Sequence, residues 1–270
     1  ETQEIDLYIE GEFDPHKTGK PPLIFLHGFT LSSQEWLPLI DYYTKDFQPL
    51  AIDIIGHGRS SSPADESKYS FEFFARALTD LLNQLSIHSA HWIGYSLGSR
   101  ILLYFAAQKP QYIKSMVLEG TTPGIENPDK KIQRKKQDEN LARFIEKNPL
   151  EKFVARWTQH PIFESQKNVS EEKIEYIRSI RLQNSSRGLA NNLRQMGRGN
   201  MPSLWDDLHN IEIPSLLLAG EHDVKHITYA KEMSKRLPDC EWKIIRNAGH
   251  NIHFERPEKF VDITLEFLTR

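Results

Sequence analysis

The residues best placed to do chemistry lie in Gly94-Tyr95-Ser96-Leu97-Gly98, a G-x-S-x-G stretch between a β-rich apolar run at 89–94 and a helical stretch at 97–108. The two glycines let the backbone turn sharply from strand to helix, which pushes the serine hydroxyl out at the sheet edge. A serine there also sits on a helix N-terminus, whose free N–H groups and positive dipole end favour developing negative charge. The setting, more than the five letters, makes Ser96 a candidate nucleophile or base.

Such a serine needs a histidine to take its proton and a carboxylate to fix the tautomer of that histidine, in the chain order serine, acid, histidine. Gly220-Glu221-His222-Asp223 follows an apolar run at 214–220, and Ala248-Gly249-His250 follows another at 241–246. Both therefore lie at strand C-terminal ends, the rim where open α/β sheets bind ligands. His250 competes with His222, His253 and His91, and is preferred because it occupies the short glycine-containing loop directly after the last strand. Asp223 is preferred to Glu221 as the acid, with Glu119, closing the run 113–119, as the serious rival. His27-Gly28-Phe29, after the run 22–27, reads as a loop aiming the Phe29 N–H inward, to form an oxyanion hole with that of Leu97. His27 itself reads as a structural hydrogen-bonding residue, and His57 in Gly56-His57-Gly58 is given no chemistry.

These groups need a scaffold, and the chain supplies one. Apolar runs at 22–27, 47–53, 89–94, 113–119, 214–220 and 241–246 alternate with helical stretches at 34–43, 71–85, 97–108, 227–236 and 257–268, with Ser70 and Pro257 as start signals. This rhythm builds βα units around a mostly parallel sheet flanked by helices, with an extended segment at 5–10 as an antiparallel edge. It breaks after Glu119: from Thr121 to Trp205 there are only helical stretches, separated by Pro128, Pro149, Pro161 and a loop at 197–202. The expected organisation is a core of residues 1–120 and 206–270 with an inserted helical lid at 121–205. Residues 126–200 carry 16 Lys and Arg against 10 Asp and Glu, so the positive charge of the chain is concentrated there. Taken alone, Lys130, Lys131, Arg134, Lys135 and Lys136 read as a solvated helix face.

A length of 270 residues, 39% of them hydrophobic, suffices for one large globular domain. A net charge of -3 gives no global reason to expect nucleic acid or an anionic membrane as partner, and no apolar run approaches the roughly 20 residues that span a bilayer. Residues 1–10 are acidic and show no secretory signal pattern, and Cys240 is the one cysteine, so a reducing, cytoplasmic setting is expected. No H-x-x-x-H or C-x-x-C spacing is read as a metal site, and Pro15, Gly19 and the isolated glycines form no phosphate cradle.

Ile93-Gly94-Tyr95-Ser96-Leu97-Gly98-Ser99-Arg100 and Leu118-Glu119-Gly120-Thr121-Thr122-Pro123-Gly124 closely resemble the α/β-hydrolase-fold synthases of 2-succinyl-6-hydroxy-2,4-cyclohexadiene-1-carboxylate, the MenH family of menaquinone biosynthesis. Arg134, Trp157, Pro161-Ile162-Phe163, Arg181 before Gln-Asn-Ser, Gly220-Glu221-His222-Asp223 and Gly249-His250-Asn251 fall in matching order, so the resemblance runs from His27 to about Glu255. It implies a cofactor-free lyase that eliminates pyruvate from a small tricarboxylate, with Ser96, His250 and Asp223 catalytic. It also implies substrate contacts from Arg100, Arg134, Arg181, Trp157 and Tyr95. Three guanidinium forks suit three carboxylates, because they pair bidentately and stay charged. The sequence departs from the family at Ser99, where Gly is usual, a change small enough to keep the helix close to the sheet. A serine ester hydrolase with the same triad, or a binding module on the same fold, are the competing readings. The three arginines argue against the first and the complete triad against the second; the oligomeric state stays open.

Overall fold

The computed structural model describes residues 5–14 and 18–270; Pro15 and the first four residues of the acidic N-terminus lie outside the described residues. Seven strands form one sheet: β1 (Ile9–Glu10), β2 (Pro22–Leu26), β3 (Gln48–Ile52), β4 (Ala90–Tyr95), β5 (Ile113–Glu119), β6 (Ser215–Gly220) and β7 (Cys240–Ile245). Their order is β1-β3-β2-β4-β5-β6-β7, with β1 antiparallel to β3 and every other pair parallel. The central strands are apolar on both faces because both are covered. Leu23 and Phe25 face one buried cluster while Ile24 and Leu26 face the other. The chain leaves β2 for β3 on one side and returns to β4 on the other. The loops after β2 and β4 therefore diverge at a topological switch point, where the sheet opens a crevice.

The covering helices are α1 (Leu37–Tyr43), α2 (Phe71–Gln84), α3 (Leu97–Gln108), α8 (Val224–Ser234), the short α9 (Ile252–Glu255) and α10 (Pro257–Leu268), with α4 to α7 lying between β5 and β6. Ser70 caps α2 by accepting from the Phe73 N–H, and Pro257 opens α10. The expected helix at 34–43 is two pieces, a 3₁₀ turn at Ser33–Trp36 followed by α1. Pro38 is the cause: it has no N–H with which to bond back to residue 34. The expected helix at 227–236 starts earlier, at Val224, because Asp223 caps it.

Among the described residues, 121–205 holds no strand. Its helices are α4 (Pro128–Lys147), α5 (Leu150–Thr158), α6 (Glu171–Leu182) and α7 (Ser186–Met196), with a 3₁₀ stretch at Pro161–Asn168. Ala142, Ile145, Phe153, Val154, Leu189, Ala190 and Leu193 pack into a small core of their own. Lys130, Lys135 and Lys136 on α4 are exposed, as a solvated face requires. No helix of the described residues is long and apolar enough to cross a membrane. Cys240 is free and half-buried, and burial pushes its thiol up to about 12, so it stays protonated.

Candidate active site

Ser96 stands between β4 and α3 with φ 49 and ψ -100, a conformation that L residues rarely adopt outside such elbows. The turn is tight because α3 lies against β2: a Cβ added at Gly98 would meet the Leu26 carbonyl oxygen at 2.2 Å. Ser99 fits the same crowding. Its fully buried hydroxyl donates to the Glu119 carbonyl at 2.9 Å and to that of Gly94.

Around this elbow the loops after β6 and β7 complete a relay. The Ser96 hydroxyl lies 2.9 Å from His250 Nε2, and His250 Nδ1 donates to Asp223 Oδ2 at 2.6 Å. Burial works to push the Asp223 carboxyl up, but hydrogen bonds from His226 and His250 outweigh it and hold the group well below the usual carboxylate range. The rival acid and a rival histidine are bonded to each other elsewhere. His253 Nδ1 donates to Glu119 at 2.7 Å and its Nε2 to Glu35 at 3.2 Å, in a fully buried cluster stacked on Trp36. Burial disfavours charge on His253, yet Glu119 and then Glu35 raise it to about 9, so it is an imidazolium clasped by carboxylates. His91 bonds Ser115 on the sheet, far along the strands from the rim.

The loop after β2 faces Ser96. Gly28 donates its N–H to Glu35 at 2.9 Å, Ser96 its own to the Glu119 carbonyl and Gly98 to that of His27. Among the described residues, no protein acceptor is found for the N–H of Phe29 or Leu97. Gly28 is required for this approach, since a Cβ there would lie 2.5 Å from the Tyr95 ring. Asn184, following α6, donates to the Thr30 carbonyl at 2.8 Å and accepts from the Gly58 N–H at 3.0 Å, pinning this loop to the next. His27 accepts from the Ile54 N–H at 2.9 Å, and burial lowers it to about 4, so it stays neutral and structural.

Ser96, His250 and Asp223 open into a chamber of about 980 Å³ roofed by α4, α5 and the 161–168 stretch. Tyr95, Arg100, Arg134 and Trp157 line it. Arg100 is only 8% exposed and donates to the Met196 carbonyl at 2.8 Å. Burial, then Arg198 and Arg134, lower it to about 9. Arg134 pairs with buried Asp138 at 2.8 Å. Trp157 both lines the chamber and packs with Phe29, Phe153 and Phe163, and its indole N–H is buried with no partner among the described residues.

Two expectations meet geometry that bears on them. Arg181 is 2% exposed and does not line the chamber. It donates to the Thr158 hydroxyl at 3.1 Å, and its guanidinium lies over the ring of Phe163, which takes the place at the chamber wall. Burial lowers it to about 10. The second concerns metals. His222 and His226 do have an H-x-x-x-H spacing, but the fold uses His226 otherwise. Asp223, His226 and His250 bring ligand atoms within 4.8 Å of one another. Both histidines spend their Nδ1 on Asp223, that of His226 lying 2.8 Å from Oδ1 and 2.7 Å from Oδ2. Burial lowers His226 to about 4, leaving it neutral. Sequence reasoning also missed Arg198 and Lys225, which line the chamber. The i, i+3 spacing of Asp223 and His226 at the start of a helix was the available signal for the role of His226.

The alpha/beta hydrolase fold family matches residues 21–257, and fold and relay together make the chain a member of that class. A Bacillus subtilis (strain 168) protein, provisionally named as a 2-succinyl-6-hydroxy-2,4-cyclohexadiene-1-carboxylate synthase, is 40% identical over 92% of this chain and 90% of its own length. The synthase of that name from Salmonella typhimurium (strain LT2) is 31% identical over 97% of this chain and 99% of its own. The solved structure of MenH from S. aureus superposes with a TM-score of 0.90 at 34% identity, covering 99% of this chain and 98% of the other. The chain belongs to the 2-succinyl-6-hydroxy-2,4-cyclohexadiene-1-carboxylate synthase family, lyases of menaquinone biosynthesis.

Proposed function

We propose that this chain eliminates pyruvate from 2-succinyl-5-enolpyruvyl-6-hydroxy-3-cyclohexene-1-carboxylate to give 2-succinyl-6-hydroxy-2,4-cyclohexadiene-1-carboxylate. The observation that carries the reading is the company Ser96 keeps: its chamber also holds the Arg100 and Arg134 guanidiniums, for which a neutral ester has no use. His250 takes the Ser96 proton through Nε2, and the Ser96 oxygen removes a ring proton. The electron pair left at C2 forms the C2–C3 double bond, the existing C3–C4 double bond moves to C4–C5, and the C5–oxygen bond to the enolpyruvyl group breaks, so pyruvate leaves as its enolate and is then protonated. Asp223 holds His250 with its proton on Nδ1 and stabilises the imidazolium. The Phe29 and Leu97 N–H groups, free of protein acceptors among the described residues, meet the enolate-like charge. We read residues 121–205 as a lid that excludes water over the substrate. The step needs no metal or organic cofactor, so dialysis against EDTA leaves the rate unchanged on this reading.

The test is to supply the enolpyruvyl precursor and follow pyruvate with lactate dehydrogenase and NADH. Ser96→Ala and His250→Ala are expected to lower turnover by orders of magnitude with unchanged melting. Wild-type rates in both variants refute the mechanism. The serine ester hydrolase reading predicts instead rapid turnover of a simple aryl ester with an acyl-enzyme burst, and no pyruvate.

A further inference from the structure

The chamber carries more positive charge than the arginines so far given a role. Arg100, Arg134, Arg156, Arg198 and Lys225 line it against two carboxylates, Asp138 and Asp223. Neither carboxylate is available: Asp138 is held by Arg134 and by the Gly199 N–H at 3.0 Å, and Asp223 by two histidines. Arg198, in the loop after α7, is half-buried; its guanidinium lies over the ring of Tyr229 and donates to the Tyr229 hydroxyl at 3.3 Å, and its buried Nε has no partner among the described residues. Lys225 is exposed over much of its length and lies two residues after Asp223, in the first turn of α8. Desolvation of its ammonium, with Arg198 and Arg134 nearby, lowers it to about 8. Cations left partly desolvated among one another oppose folding unless an anion joins them.

We propose that Arg198 and Lys225 bind a carboxylate of the ligand, supplying beside Asp223 the third cationic contact that Arg181, covered by Phe163, does not supply here. The assignment rests on reading the ligand as a polycarboxylate, and it identifies which residues receive one of those groups. A guanidinium from the α7 loop and an ammonium from the core rim would both touch that carboxylate, so ligand binding stitches residues 121–205 to the sheet.

Calorimetry with tricarballylate, a tricarboxylate that cannot react, tests this without turnover. Arg198→Gln and Lys225→Gln are each expected to weaken binding by about tenfold or more, as loss of a charge-assisted contact does. The double variant should lose less than the product of the two, because both residues serve one group. Arg198→Lys should recover part of the loss, and Lys130→Gln, exposed on α4, should change nothing. Unchanged affinity in Arg198→Gln and Lys225→Gln, or no binding by the wild-type chain, overturns the assignment. If wild-type enzyme releases pyruvate while those variants bind as well as wild type, only the anion site falls. If tricarballylate binding depends on both residues but no pyruvate forms, the anion site stands and the proposed reaction falls.

Discussion

Asp223→Asn is informative because this carboxylate serves two histidines. Its Oδ1 accepts from the His226 backbone N–H at 3.4 Å and from His226 Nδ1, and its Oδ2 from His250 Nδ1 at 2.6 Å. An amide has one acceptor oxygen. Two donors from His226 call for that oxygen at the δ1 position, which turns the amide NH₂ toward His250. His250 must then accept on Nδ1 and carry its proton on Nε2, pointing at the Ser96 hydroxyl it should deprotonate. The expected loss is about 10⁴-fold in kcat, the scale of a wrong-tautomer histidine, or roughly 5.5 kcal/mol. Replacing His226 by Phe in the same chain removes the stronger of the two donors. The amide is then free to flip, and activity should rise by about tenfold or more over Asp223→Asn alone. Pyruvate release under single-turnover and steady-state conditions reads both effects. Asp223→Asn within tenfold of wild type, or a further fall when His226→Phe is added, refutes the reasoning.

Arg100→Ala should cost about 2–5 kcal/mol in kcat/KM, the range for truncating one member of a buried charged pair, while exposed Lys136→Ala should cost little; equal effects would remove Arg100 from the site. Lys225 is an ammonium below about 8 and neutral above it, with desolvation and then Arg198 and Arg134 favouring proton loss and Asp223 opposing it. KM for the anionic substrate should therefore climb as pH rises through 8, and Lys225→Gln should flatten that limb of the profile. His253 is raised to about 9 in the fold, so its ion pairs stabilise the protein fully below its unfolded pKa of roughly 6.5 and are lost as pH rises through 9. Urea unfolding of His253→Gln should show a loss of about 3–5 kcal/mol at pH 6 that shrinks toward pH 10; a pH-independent loss would mean the cluster acts by packing alone.

The parts legible in the sequence were those fixed by local rules. Strand boundaries fall within a residue or so of the apolar runs for six of the strands; the central strands are legible because they are covered and apolar on both faces, while the edge strand β7 carries Glu241 and Lys243 and is half-exposed, and Ser70 and Pro257 mark their helices by satisfying or lacking N–H groups. The Ser96, Asp223 and His250 constellation follows from loops that must lie at strand ends. Glu119 stayed a serious rival to Asp223 in the sequence, and the structure places it elsewhere: in the pair with His253. What stayed hidden depends on side-chain direction across long separations. Nothing local says that Arg181 packs under Phe163, or that Arg198, 98 residues beyond Arg100, shares its chamber. His226 was hidden for another reason: on its own helix it looks like one more amphipathic residue, and its partner Asp223 was already assigned.

The buried Glu35–His253–Glu119 cluster ties together loops from three distant parts of the chain. Glu35 takes the Gly28 N–H, and Glu119 takes the N–H groups of Ile252 and His253, just beyond His250. The rim that carries Ser96, Asp223 and His250 is thus anchored from beneath, by groups that do not line the chamber. Inheritance can act separately on the two halves of such an enzyme. On the proposed reading, substitutions in the roof, among residues such as Arg134, Trp157 or Arg198, are expected to alter what is admitted without disturbing the proton relay. A change in the anchor moves all three loops together, so lineages that exchange one substrate for another are expected to rewrite the roof and leave the anchor alone.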